Sequence, residues 1–320
     1  MHVHLIGTGA VGGLYGGLLA RAGAQVTVQC RSDYATVRTH GIRIESLVGL
    51  GDWIFTPDHV IREGETLSSL PDIVILAVKV NPSCDRIALI KPMLSSETVI
   101  VSISNGLGVD EDLMQAFPDH ELVGGVAFVC ATRIHPGHVL HQAYGHLVLG
   151  RYPAGKSRTG VELVNLWQQS GASAEYSPNL AAVRWQKSLW NASFSAICTI
   201  SNTHTADVLG CAEALVRRVM EEIHVTATQL GHELPLGIIE KQINGTHRMP
   251  AYYPSMYLDR AMGNPTEVEA IIGNAVRISR EIGVKTPHLD TLYSLLKLQE
   301  HVRLDPLKSA PKGDRESANH

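Results

Sequence analysis

One stretch near the amino terminus, HVHLIGTGAVGG at residues 2–13, constrains this chain more than any other. A short apolar run meets Gly7-Thr8-Gly9-Ala10-Val11-Gly12, and the small-residue segment AVGGLYGGLLARAG follows at once. Strand, GxGxxG turn and helix in immediate succession predict a dinucleotide-binding unit at the head of a parallel α/β sheet. Gly7 permits the tight turn, Gly9 lets the backbone approach a pyrophosphate, and Gly12 lets helix and strand close on each other. The helix start then offers unpaired N–H groups to the phosphates, with Thr8, Ala10 and Val11 completing the loop. A glycine-rich turn in some other α/β fold is the competing reading.

The next strand bears on which dinucleotide is bound. An NAD site places Asp or Glu about 20 residues past the loop, where it accepts from the ribose hydroxyls. Here the second strand ends QVTVQC and its tip is Cys30-Arg31-Ser32. Arginine cannot accept a hydrogen bond but pairs well with a 2′-phosphate. NADP(H) is therefore the expected cofactor, with Arg31 reading its phosphate. Asp33 is the competing NAD-type acid, placed further beyond the strand.

Apolar runs continue to alternate with helical segments: DIVILAV, TVIVSI and ELVGGVAFV read as further strands, and HVLHQAYGHLVLGRY as an antiparallel extension of the sheet. From about residue 178 the period becomes helical throughout and no strand is expected. The fold class expected is an α/β Rossmann-type amino-terminal domain, residues 1–177, followed by an all-α domain, residues 178–304. The polar tail, 305–320, is expected to be disordered. With 320 residues, 44% of them hydrophobic and 18% charged, the chain has material for two cores. A net charge of −4 gives no nucleic-acid footprint. Five scattered cysteines, no signal-peptide pattern and no membrane-length apolar run suggest a reduced, cytoplasmic protein.

Ligands of an open parallel sheet collect outside the carboxyl ends of its strands. Lys79 follows DIVILAV, and Asn105-Gly106 follows TVIVSI, so both are expected to face the cofactor. A strand-end charge and a turn residue before glycine are the plainer readings. Further on, RWQKSLWNASFSAIC places Lys187, Asn191 and Ser195 four residues apart, a polar stripe along one face of an apolar helix. Such a stripe is either a wet surface or the wall of a site; a lysine snorkelling from the helix is the bland alternative.

Five blocks in order — GTGAVG, ILAVK, SISNGLG, KSLWNASFSAI and PSMYLDRAMGNPTEVEAIIG — resemble the ketopantoate reductase (2-dehydropantoate 2-reductase) family over residues 3–300. The resemblance implies a Rossmann domain joined to a helical one. It also implies NADPH-dependent reduction of the 2-keto acid ketopantoate to pantoate, on the route to pantothenate. By motif, Lys187 falls on the family's catalytic lysine and Glu267 on its active-site glutamate. Asn191 and Ser255 fall on substrate-binding positions, and Arg31 on the residue at the 2′-phosphate. Ser195 stands where some members carry a second substrate asparagine, and Thr205 is the nearest equivalent of a third.

Hydride arriving at a keto carbon leaves charge on the oxygen, which a positioned acid must neutralise; Lys187 is the expected donor. Asn105 and Asn191 are expected to bind substrate with Ser195 and Ser255; Asn105 and Glu267 are also expected at the cofactor. Glu267 has a second reading, because NPTE fits a capping box with Asn264 at its head. His135, His138 and His141 read as surface or loop residues that cannot converge, so no metal is expected. Three functions stay open: ketopantoate reduction, reduction of another small 2-keto or β-hydroxy acid, and non-catalytic NADP(H) sensing. The long apolar helices could support a homodimer.

Overall fold

The computed structural model describes residues 1–304, so the tail expected to be disordered lies outside the described residues. The chain divides into two compact units, the first Met1–Lys187 and the second beginning at Ser188.

The first unit runs β1 (His2–Ile6), α1 (Ala10–Arg21), β2 (Gln25–Cys30), α2 (Tyr34–His40), β3 (Ile42–Ser46), β4 (Trp53–Phe55), β5 (His59–Arg62), β6 (Ile73–Leu76) and α3 (Arg86–Ile90). It continues with β7 (Val99–Ile103), α4 (Glu111–Ala116), β8 (Leu122–His135), β9 (His138–Arg151), α5 (Arg158–Gln169), β10 (Ala174–Tyr176) and most of α6 (Leu180–Trp190). The strands form one mixed sheet in the order β4-β3-β9-β8-β7-β6-β1-β2-β5. From β8 to β5 every neighbour is parallel. Strand β9 pairs antiparallel with β8, and its other edge takes β3 at one end and β10 at the other.

The central strands are buried on both faces, which is why IVIL and VIVSI are continuous apolar runs rather than alternating ones. The helix α1 is enclosed in the same way. It touches β1 and β2, and also β3, β4, β8 and β9, so the sheet curls around it. A Cβ on Gly16 would stand 2.6 Å from Leu5 of β1, and one on Gly17 would stand 2.7 Å from Ile44 of β3. Trp167 of α5 closes a third side, its Nε1 donating to the Tyr15 carbonyl at 2.9 Å. A helix apolar on every face needs such a surround.

The expected strands at 2–6, 25–30, 73–76, 99–103 and 122–135 are present, as is the antiparallel extension at 138–151. Four were not expected: β3, β4, β5 and β10. Strands β3 and β4 come from the connection after β2, which crosses to the far edge of the sheet before returning as β5.

The second unit carries no strand among its described residues. After α6 come a π-helical turn (Asn191–Ser195), α7 (Ala196–Ser201), α8 (Thr205–Gln229), α9 (Ile238–His247) and α10 (Ser255–Ala261). A second π-helical turn (Glu269–Gly273) leads into α11 (Asn274–Glu281), and α12 (Pro287–Leu304) follows. Glu222 of α8 accepts from the His288 and Leu289 N–H groups at 3.0 and 2.9 Å, capping the start of α12. No helix among the described residues is long and apolar enough to cross a membrane.

Three local expectations are corrected. The stripe bearing Lys187, Asn191 and Ser195 does not lie on one continuous α-helix, because the coil widens at Asn191–Ser195. The capping box headed by Asn264 does not form. The helix begins at Val268, and the Glu267 carbonyl accepts from Ile271 N–H at 3.0 Å, so Glu267 stands at the head and not in the first turn. His141 is wholly buried rather than at the surface, bonded to Ser46 Oγ (3.1 Å) and the Tyr144 carbonyl (3.0 Å). His135 and His138 approach ring to ring at 6.3 Å, since a hairpin turn separates them.

Candidate active site

Strand β1 has β2 on one side and β6 on the other, so the strand order reverses there, where an open α/β sheet binds its ligand. The glycine loop leaves β1 at this point. Gly7 has φ +98°, and a Cβ on it would stand 2.7 Å from the Ala77 carbonyl, so loop and β6 end are pressed together. A Cβ on Gly12 would strike the Gly7 carbonyl. Around Gly9 nothing lies within 4 Å of that position. Helix α1 starts with no side-chain cap and no acid in its first turn. An open backbone approach and an uncapped, acid-free helix start fit a dinucleotide pyrophosphate. Thr8 is buried, with its hydroxyl directed to Cys30 Sγ at 3.5 Å.

The β2 end is cationic. Arg31 is exposed there, and Arg62, at the end of the adjacent β5, lies over the Tyr34 ring at 4.4 Å. Arg38 donates to the Tyr34 hydroxyl at 3.1 Å. Asp33 turns away from this rim: it is 3% exposed, and both its oxygens are engaged. Oδ1 accepts from Arg133 and from Ser32 Oγ (2.8 Å), and Oδ2 accepts from Gly137 N–H (3.2 Å). Burial alone would raise its pKa; these hydrogen bonds outweigh it and hold the carboxyl below its ordinary value.

At the β7 end, the Lys187 ammonium donates to Asn105 Oδ1 (2.5 Å) and to the Ala127 carbonyl of β8 (2.6 Å). Lys187 is thus half-buried and anchored rather than snorkelling, with the Phe128 ring centroid 5.9 Å away. Lys79 is exposed just beyond β6. One turn before Lys187, Arg184 reaches the same loop. It donates to the Ser104 carbonyl at 2.9 Å and to Asp110 Oδ2 at 2.5 Å. Arg184 is 7% exposed and Asp110 1%, a buried ion pair. A Cβ on Gly124 of β8 would fall 3.1 Å from this guanidinium and 3.2 Å from this carboxylate, so the glycine makes their room. Arg86, also buried, donates to the Val109 carbonyl at 2.6 Å and Ser102 Oγ at 3.3 Å. The loop carrying Asn105 is therefore held from two sides.

The first unit thus brings together the glycine loop, Arg31, Lys79, Asn105 and Lys187 along the carboxyl ends of one sheet. The remaining candidates belong to the second unit. Asn191 is half-buried and Ser195 buried in the first π turn; Ser255 opens α10; Glu267 is buried just ahead of the second π turn. The two π turns pack against each other. Thr205 is buried, its hydroxyl accepting from Tyr252 N–H at 3.2 Å. Among the described residues no group of three or more His, Cys, Asp or Glu could hold a metal. Sequence reasoning missed Arg184, Asp110, Arg86 and Arg133. Only Arg184 left a signal, as a cation three residues before Lys187 on the same helix.

A mixed sheet with a glycine loop at its switch point and an anchored lysine on the same rim is the architecture of the dinucleotide-binding α/β class. Comparison with known proteins narrows the class. Residues 3–154 match the family described as ketopantoate reductase PanE/ApbA, and residues 179–300 match its C-terminal counterpart. The chain belongs to the ketopantoate reductase family, whose members are oxidoreductases. It is 31% identical to a 2-dehydropantoate 2-reductase of Nostoc sp., over 92% of this chain and 93% of that one. The crystal structure of 2-dehydropantoate 2-reductase from Methylococcus capsulatus superposes with a TM-score of 0.89 at 42% identity, covering 96% of this chain and 99% of that one. A D-mandelate dehydrogenase with NADH and anilino(oxo)acetate shares the fold, with a TM-score of 0.84 at 22% identity over 95% and 100% of the two chains.

Proposed function

We propose that this chain reduces 2-dehydropantoate to pantoate with NADPH, a step of pantothenate biosynthesis, using Lys187 as the proton donor. The observation that carries the reading is the double anchoring of the Lys187 ammonium on Asn105 Oδ1 and the Ala127 carbonyl. Two acceptors fix the direction in which the ammonium points. Residues 1–177 would bind the cofactor: Gly7 through Gly12 the pyrophosphate, Arg31 the 2′-phosphate, with Lys79 and Asn105 along the same rim. When bound, the cofactor supplies the hydride. Lys187 gives up a proton from Nζ as the substrate's carbonyl oxygen becomes anionic, and Asn105 keeps the ammonium aligned. From residues 178–304, Asn191 and Ser255 would hold the substrate's polar groups, and Glu267 would orient the lysine or the cofactor.

The fold relative bound to NADH means that architecture does not choose between cofactors. Exposed Arg31 and the withdrawal of Asp33 support NADPH. A second reading, reduction of a different small 2-keto acid, draws support from Ser195 and Thr205. Both are buried, and the Thr205 hydroxyl already accepts from Tyr252 N–H, so neither offers the amide group of an asparagine.

The test is steady-state reduction of 2-dehydropantoate and a panel of 2-keto acids, with NADPH against NADH. Lys187→Ala is expected to lower kcat by about 10²–10⁴-fold while NADPH affinity is retained. Undiminished turnover by this variant would remove Lys187 from the mechanism.

A further inference from the structure

We infer that Arg133 sets the cofactor preference of this protein by holding Asp33 out of the ribose site. The inference builds on the NADPH reading and names the residue that protects it. Asp33 lies in the β2–α2 turn, three residues past the end of β2 from which an NAD-type acid accepts from the ribose hydroxyls, close enough to compete for that role. Position alone would make it an acceptor for NADH and a repulsive charge toward a 2′-phosphate.

The geometry turns that carboxylate elsewhere. Asp33 directly precedes α2, where aspartate ordinarily caps the helix through its side chain. Here it makes no such bond. Oδ1 is taken by Arg133 of β8 and Ser32 Oγ, and Oδ2 by the N–H of Gly137 in the β8–β9 turn. Gly137 sits at φ +66°, and a Cβ there would stand 2.9 Å from Thr36, so this turn is fitted closely against α2. The pairing also cancels charge: carboxylate and guanidinium sum to zero, and Arg31 is left to dominate the rim two residues away. Arg133 itself is 40% exposed.

Without Arg133, an anion 3% exposed loses its charge partner. A buried unpaired carboxylate is costly, and rotation into solvent relieves it. The released group then lies beside Arg31, where it neutralises the cation meant for the phosphate and offers acceptors to an unphosphorylated ribose.

The experiment measures the dissociation constants of NADPH and NADH by nicotinamide fluorescence, with no turnover required, for the full chain and its variants. Arg133→Met is expected to shift the NADH-to-NADPH ratio of dissociation constants by about tenfold or more toward NADH, the scale of a rearranged charge beside a phosphate. Adding Asp33→Asn to Arg133→Met is expected to restore the preference for NADPH, because the competing carboxylate is gone. Arg133→Lys is expected to keep it. Equal weakening of both cofactors, with the ratio unchanged, would mean that the pair only ties the hairpin to the turn, and would overturn the proposal. Should Arg133→Met fail to fold, Arg133→Leu also removes both donor and charge; an unchanged ratio there overturns it equally. Failure of the underlying NADPH reading looks different: the unaltered protein would itself bind NADH as tightly as NADPH.

Discussion

At the scale of single residues, the first unit places charge where water is excluded and then pairs it. Asp110 and Arg184 are the plainest case. Removing one partner of a buried pair leaves the other uncompensated, which typically destabilises by about 3–5 kcal/mol. Asp110→Ala is expected to lower the unfolding free energy by that order, read by urea denaturation; a loss under about 1 kcal/mol would mean that water already reaches the guanidinium. The same substitution frees the Ser104–Asp110 loop, so its effect on kcat should exceed its effect on cofactor affinity. Neither this pair nor Arg133–Asp33 was legible in the sequence. The partners are 74 and 100 residues apart, and no periodicity links them. Lys187, Asn105 and the glycine loop were legible because each follows a strand or shares a helix with apolar neighbours.

At the scale of elements, α1 sets the tightest tolerances. Ala at Gly17 would bring a methyl to 2.7 Å from Ile44 and 3.2 Å from Phe55. Overpacking of this kind costs about 1–3 kcal/mol. Gly17→Ala is therefore expected to destabilise, against the usual gain from replacing glycine in a helix; a rise in Tm would show that the curled flank gives way. The helical second unit was read correctly as helical, but its two π turns were not, since a search for a 3.6-residue period passes over one widened turn. Strands β3, β4, β5 and β10 were missed for a related reason. At three to five residues, with charges as in IRIES, they carry too little pattern and depend on partners distant in sequence.

At the scale of the whole molecule, buried histidines couple folding to acidity. Burial brings His4 of β1 down to about pKa 4, against an opposing hydrogen bond with Gln29. Burial lowers His141 as well. An unfolded chain protonates His4 near 6.5, the folded protein only near 4. Between those values the unfolded state holds more protons, so stability falls as pH drops through the window, by about 3 kcal/mol for His4. His4→Gln is expected to flatten the dependence of unfolding free energy on pH between 7 and 4; an unaltered slope would assign the acid sensitivity to other groups.

The curl of the sheet around α1 has a consequence for the order of events during synthesis. The helix whose head presents the glycine turn is seated partly by β8 and β9, laid down more than a hundred residues after it. A nascent chain that has emerged only through its first two strands owns the nucleotide motif but not its seat. That seat is complete only when Trp167 of α5 has joined the wall.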